Sequence, residues 1–209
     1  MSLYVPRHFG NQSQSDALKV IRDWPFATLI TSVAGAEPHI THLPLVLLEE
    51  GRLTGHMARA NAHWQAFGQG HTVAVFQGPH AYISPLWYDD PAANVPTWNF
   101  AVVHVHGAPQ LVDDVARKLV IVDATSAVFE SSENPWQRQL QPAKQEAMLS
   151  NIVAFHLPMT HLDAQFKMNQ NKTDADRAKV VAALRATAQP EAAAVADLIQ
   201  HLAPPHETR

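Results

Sequence analysis

Gly55-His56-Met57-Ala58-Arg59-Ala60-Asn61-Ala62-His63-Trp64 reads as the end of a strand, a short turn carrying one arginine, and a new helix capped by Asn61. A helix start leaves backbone N–H groups without partners and carries partial positive charge, so Arg59 beside an Asn61 cap makes a cradle for a phosphate. An asparagine cap after an exposed arginine also opens many helices that bind nothing, and the stretch alone leaves both readings open. On its N-terminal side, residues 26–33 (FATLITSV) are rich in β-branched residues and end near Gly35. Residues 40–48 continue as a second strand, and Glu50-Gly51 turns into a third over 53–57. The stretch thus closes a β-meander, which a helix over 13–22 precedes, with Ser13 and Ser15 as caps.

On the C-terminal side, Gly68 and Gly70 end the short helix before an apolar run over 72–76, and Gly78-Pro79 is expected to turn into a further segment over 81–84. Residues 86–96 read as a surface loop with aromatic anchors, and 97–107 as a long strand. Helical spacing follows over 113–130 and 141–150, then strands over 152–157 and 160–166 joined at Pro158. Helices over 173–187 and 191–202 close the pattern, and residues 203–209 are expected to be disordered. Central antiparallel strands with helices at the edges imply a barrel-like α+β fold.

Composition narrows the function. The chain has 209 residues, 46% apolar and 16% charged, which is globular composition, and no apolar run approaches the length of a membrane span. The first ten residues lack an apolar core behind a basic flank, so no secretory signal is expected and a cytoplasmic location follows by default. There is no cysteine, which removes disulfides, thiolate metal sites and a cysteine nucleophile together. A net charge of −4 with only 15 Lys and Arg lacks the electrostatic footprint of a direct nucleic-acid binder.

Thirteen histidines keep metal and haem binding in view. In the strand over 97–107, alternation puts Trp98, Phe100, Val102, His104 and His106 on one face and Thr97, Asn99, Ala101, Val103 and Val105 on the other. His104 and His106 lack a third ligand at a telling spacing, so they read as half-buried histidines bonded to backbone or lying at an interface, and no metal is expected. His39 and His42, three apart on a strand, face opposite sides. Thr97, Trp98 and Asn99 fit either an aromatic wall with an amide for a planar cofactor or a packed aromatic with a capping asparagine. Phe166-Lys167-Met168-Asn169-Gln170-Asn171 strings a cation and three amides together, fit for a heterocycle or phosphate and equally for a solvated turn. No Walker loop, GxGxxG, GxSxG or HExxH occurs, and no catalytic acid, base or nucleophile stands out.

YVPRHF from Tyr4, PHITHLPLVL from Pro38, GHMARANAHW from Gly55, AVFQGPHAYISPLWY from Ala74, VPTWNFAVVHVHG from Val95 and FKMNQNK from Phe166 resemble the PaiB-like FMN-binding proteins, a family of negative transcriptional regulators. The likeness runs to about residue 185. It implies a mainly antiparallel split β-barrel of the flavin-reductase and pyridoxamine-phosphate-oxidase type over 1–187, with peripheral helices and an added C-terminal helix and tail over 188–209. It also implies a homodimer with FMN in the cleft between subunits. By the same resemblance Thr41, His42 and Leu43 serve the flavin ring, Arg59 and Asn61 with His56 and Trp64 serve the phosphate and ribityl chain, and Gln77 joins from the next strand. Trp98, Asn99, Lys167 and Gln170 are expected to come across the dimer. Regulation is expected to be indirect, given the charge. The alternatives are an FMN-dependent oxidoreductase reduced by NAD(P)H and, ranked last, a haem-binding split barrel.

Overall fold

The strand over 26–33 forms as β1, Phe26–Ser32, whose alternation buries Ala27, Leu29 and Thr31 and exposes both ends. In the computed structural model, which describes residues 3–9, 13–49, 51–130 and 141–202, nine strands and five helices follow the expected order closely. The tail 203–209 lies outside the described residues, as does Glu50 of the expected turn. Helix α1, Gln14–Asp23, starts where expected: Ser13 Oγ accepts from the Asp16 N–H at 3.2 Å and donates to its carboxylate at 2.7 Å.

Three expectations are corrected. The single strand over 40–48 is two, β2 (His39–Pro44) and β3 (Val46–Glu49), and they belong to different sheets. At the break, Leu45 donates its N–H to the Pro25 carbonyl at 2.9 Å and buries its side chain completely. Gly78-Pro79 is not a turn, because one strand, β5, runs unbroken from His71 to Ile83. Gly78 instead marks a close approach: a Cβ there would stand 3.1 Å from the Val20 and Ala101 side chains. The helix expected after Asn61 is a single 3-10 turn, Ala62–Ala66.

The remaining elements are β4 (Arg52–Ala58), β6 (Thr97–Gly107), the short unpredicted β7 (Gln110–Val112), α2 (Val115–Phe129), α3 (Pro142–Ser150), β8 (Ile152–Pro158), β9 (His161–Lys167), α4 (Asp174–Ala186) and α5 (Ala192–His201). They make a five-stranded sheet ordered β2-β1-β5-β6-β9 and a four-stranded sheet ordered β3-β4-β8-β7. The resolved pairings of β1 with β2 and β5, and of β8 with β4 and β7, are antiparallel. In β6 the face carrying Asn99, Ala101, Val103 and Val105 is buried and that carrying Phe100, Val102 and His104 is half-buried, as alternation predicts, but His106, expected to be half-buried like His104, is buried.

The chain divides into two compact units. One comprises residues 1–20, 77–103 and 163–209, and the other 21–76 and 104–162. The second unit buries Leu29, Leu45, Leu53, Phe155 and Leu157 completely. There Gly55 has no room for a side chain, since a Cβ would lie 2.6 Å from Leu45 Cδ2 and 2.9 Å from the Pro44 carbonyl. The first unit buries Phe166, Met168, Leu184 and Ile199, and packs α4 against α5. In it the far half of β5 extends past its pairing with β1, which covers only residues 71–75. The His80 and Tyr82 N–H groups donate instead to Glu191 Oε2 and Gln189 Oε1, each at 3.0 Å.

Candidate cofactor site

The second unit gathers most of the residues singled out in the sequence. The backbone turn that follows β4 is held by the Arg59 N–H on the Asn151 carbonyl at 2.8 Å and the Asn61 N–H on the Ala58 carbonyl at 2.9 Å. Asn61 caps as expected, its Oδ1 accepting from the His63 N–H at 3.0 Å. Its Nδ2 donates to Thr41 Oγ1 at 3.0 Å, so two of the predicted residues are bonded to each other.

Arg59 is exposed yet fixed. Nε donates to the Ser150 carbonyl at 2.7 Å and Nη2 to the Ile152 carbonyl at 3.1 Å, while the guanidinium lies 5.8 Å from the centre of the Trp64 ring. Trp64 is anchored in turn by Nε1 donating to the Arg59 carbonyl at 3.1 Å. Of the five guanidinium N–H groups, Nη1 and one on Nη2 have no partner among the described residues. The result is a rigid cation with donors to spare.

His63 carries the local network and was not among the residues the sequence pointed to. It is 2% exposed, with Nδ1 2.8 Å from Thr41 Oγ1 and Nε2 2.8 Å from Thr31 Oγ1. Thr31 Oγ1 is also 2.9 Å from Thr72 Oγ1, its cross-strand neighbour on β5. The ordering that uses every proton runs from Asn61 to Thr41 to His63 Nδ1, and from His63 Nε2–H to Thr31 to Thr72. Burial, and then the nearby His39 ring stacked at 5.5 Å, pushes the His63 pKa down to about 4. No sequence pattern announces this cluster: Thr31, Thr41 and Thr72 meet only through strand register.

The other predicted residues of this unit fall around it. His42 turns to Thr28, with Nδ1 3.0 Å from its hydroxyl, and so faces away from the Thr41 side chain. Leu43 is buried in the core. His56 is half-buried, its pKa lowered by burial, and its Nδ1 is buried with no hydrogen-bond partner among the described residues. His106 lies 2.9 Å from His71 through its Nδ1, with the His161 ring 5.5 Å away, and no group of three or more His, Asp or Glu among the described residues is arranged to hold a metal.

In the first unit, Gln77 is exposed on β5 and Trp98 is 51% exposed, with the His80 ring 5.6 Å away and Tyr82 edge-on at 6.4 Å. Asn99 is fully buried; its Nδ2 donates to Asn169 Oδ1 at 3.0 Å and its own Oδ1 has no partner among the described residues. Asn169 donates onward to the Tyr88 hydroxyl at 3.2 Å. Lys167 donates to Thr97 Oγ1, and burial lowers its pKa. Gln170 spends its amide on backbone, accepting from the Met168 N–H at 2.7 Å and donating to the Phe166 carbonyl at 2.6 Å.

This is an α+β fold of the split β-barrel class. Residues 3–161 match the family described as "Putative FMN-binding domain", and the chain belongs to that family, with FMN as its cofactor. It is 32% identical over 206 residues to the protease synthase and sporulation protein PAI 2 of Bacillus subtilis (strain 168), spanning 95% of this chain and 97% of the relative. Among solved structures, the flavocytochrome Anf3 of Azotobacter vinelandii superposes with a TM-score of 0.62 at 17% identity, over 84% of this chain and 78% of that one. The FAD and heme binding protein of Mycobacterium smegmatis gives 0.60 at 13% identity, over 79% and 77%. At those identities the likeness is one of fold. The donor set of the second unit suits a flavin nucleotide: a fixed guanidinium with spare N–H groups for a phosphate, and an unsatisfied buried ring nitrogen on His56.

Proposed function

We propose that this PaiB-like protein holds FMN at a homodimer interface in the cytoplasm, with Arg59 at the phosphate, and that any effect on transcription is indirect. The observation that carries the reading is the Arg59 guanidinium, fixed by two carbonyls and Trp64 while donors remain uncommitted. A cation already immobilised loses little further freedom when a phosphate arrives. Asn61 holds the turn in place and Thr41 ties it to β2, so these two act on the phosphate end by positioning. His56, Trp64, His42 and Leu43 complete the residues assigned to the ribityl chain and ring. When bound, FMN supplies a ring that accepts hydride or electrons, and the chain orients it and tunes its surroundings. The indirect regulatory role rests on the −4 charge and the absence of any basic block, features ill matched to phosphate-driven DNA binding.

Titration of the purified protein with FMN, followed by quenching of flavin fluorescence, tests this. Arg59→Ala is expected to weaken FMN by about 2 kcal/mol, roughly thirtyfold. Because Arg59 also ties β4 to the start of β8, its melting temperature is measured alongside. A folded wild-type protein that leaves flavin fluorescence untouched, or a folded Arg59→Ala protein with unchanged affinity, removes the assignment.

A further inference from the structure

In the first unit a cavity of about 210 Å³ opens beside Lys167, Lys172, Asn94, Asn169, Asn171 and Thr97. Among the described residues no carboxylate lines it. Its two ammonium groups are held by neutral partners. Lys167 donates to the Thr97 hydroxyl, and Lys172 donates to Asn94 Oδ1 at 2.6 Å while lying 5.0 Å from the centre of the Tyr88 ring.

The acidic residues of the neighbouring segments are engaged elsewhere. Asp89 pairs with Lys179, Asp90 caps the 3-10 turn over 91–93, and Asp174 pairs with Arg177. Asp176 accepts from the Asp89 and Thr173 groups, and Lys172 acts on it through space without a bond. Among the described residues neither Lys167 nor Lys172 forms an ion pair. Two half-buried ammonium groups that line one cavity and are bonded only to neutral groups are incompletely compensated, since Asp176 acts on Lys172 alone and without a bond, and an anion in the cavity relieves that cost.

The wall is also fixed in shape. Asn169 sits at φ 61°, in the left-handed region that non-glycine residues seldom adopt, and both ends of its amide are bonded, to Asn99 and to Tyr88. Asn171 and Lys172 follow directly, so this conformation aims them at the same space that Lys167 reaches from the end of β9.

We propose that this cavity is a binding site for a compact oxyanion, the phosphate or carboxylate group of a small free molecule, separate from the phosphate of FMN. Pockets for drug-sized ligands run from about 300 Å³ upward, so this one takes a small molecule or a headgroup and not a flavin. Lysine ammonium groups suit such a ligand because they act as point charges free of the planar geometry that arginine imposes. The site stands on observations independent of the Arg59 assignment.

Calorimetric titration of the full-length protein with inorganic phosphate, and separately with acetate, at low ionic strength tests the proposal, each with and without saturating FMN. Saturable binding of at least one anion is expected, equal in the two FMN conditions. Lys172→Met is expected to weaken it by about tenfold or more, the range for a hydrogen bond to a charged group. Asn94→Asp, which keeps the size of the side chain and gives Lys172 a resident carboxylate, is expected to weaken it comparably. It serves as the second variant if Lys172→Met melts early. No saturable binding of either anion, or binding indifferent to both substitutions, overturns the site. Loss of anion binding on FMN saturation overturns its separateness and makes the cavity the phosphate end of the flavin.

Discussion

Lowering the pH from 6.5 to 4 is expected to remove about 3 kcal/mol of folding stability through His63 alone. His63 is buried, and its folded pKa lies near 4 because burial, and then His39, disfavour the imidazolium. The unfolded chain returns it to its ordinary value of 6.5. Between those values the unfolded state binds more protons than the folded one, so stability falls as pH falls and the contribution is complete above pH 6.5. His56, also lowered by burial, acts in the same direction. Urea unfolding of the wild type and of His63→Gln at a series of pH values separates the His63 share. The variant keeps groups that can bond Thr41 and Thr31 but has no proton to gain, so its stability should fall less steeply with acid. Parallel curves would show that His63 is not buried neutral.

Replacing Phe155 by alanine is expected to cost about 4 kcal/mol, at the upper end of large-to-small core substitutions. Phe155 is fully buried on β8 and packs T-shaped against Phe67 with ring centres 5.0 Å apart, and Phe67 in turn meets the His63 ring at 5.6 Å. The cavity left by the phenyl group therefore lies beneath the same turn that Asn61 caps. Phe155→Leu, which keeps most of the volume, should cost about 1 kcal/mol. Denaturant midpoints of the two variants check the difference, and an alanine variant within 1 kcal/mol of wild type, by the same arithmetic, would mean that Phe67 collapses into the space.

Much of the fold is legible in the sequence because its strands alternate cleanly and its helices carry their own signals. Alternation assigned both faces of β6 as far as Val105, and the helix expected to begin at Thr173 or Asp174 is α4, capped by Thr173. Two of the three misreadings share one cause. Gly78-Pro79 is judged by local turn chemistry and residues 40–48 by the continuity of an apolar run, yet what decides them is a neighbour distant in sequence: Ala101 crowding Gly78, and the Pro25 carbonyl receiving the Leu45 N–H. The site divides the same way. Asn61 is legible as a cap, since its partner is two residues on, and Arg59 is legible as a cation. The carbonyls that fix Arg59 lie some ninety residues away, and the threonines around His63 come from three strands. Lys172 and Asn94, 78 residues apart, carry no joint signal at all.

The contacts of Gln189 and Glu191 along β5 bear on how a strand that outruns its neighbour satisfies its backbone. A strand that ends its pairing early leaves a row of backbone donors, and such a row is a template for another chain's strand. Here two side chains occupy the His80 and Tyr82 donors at that border, and α5 begins at the very next residue, Ala192. The segment that leads into α5 therefore satisfies backbone donors that the end of the β1 pairing would otherwise leave open.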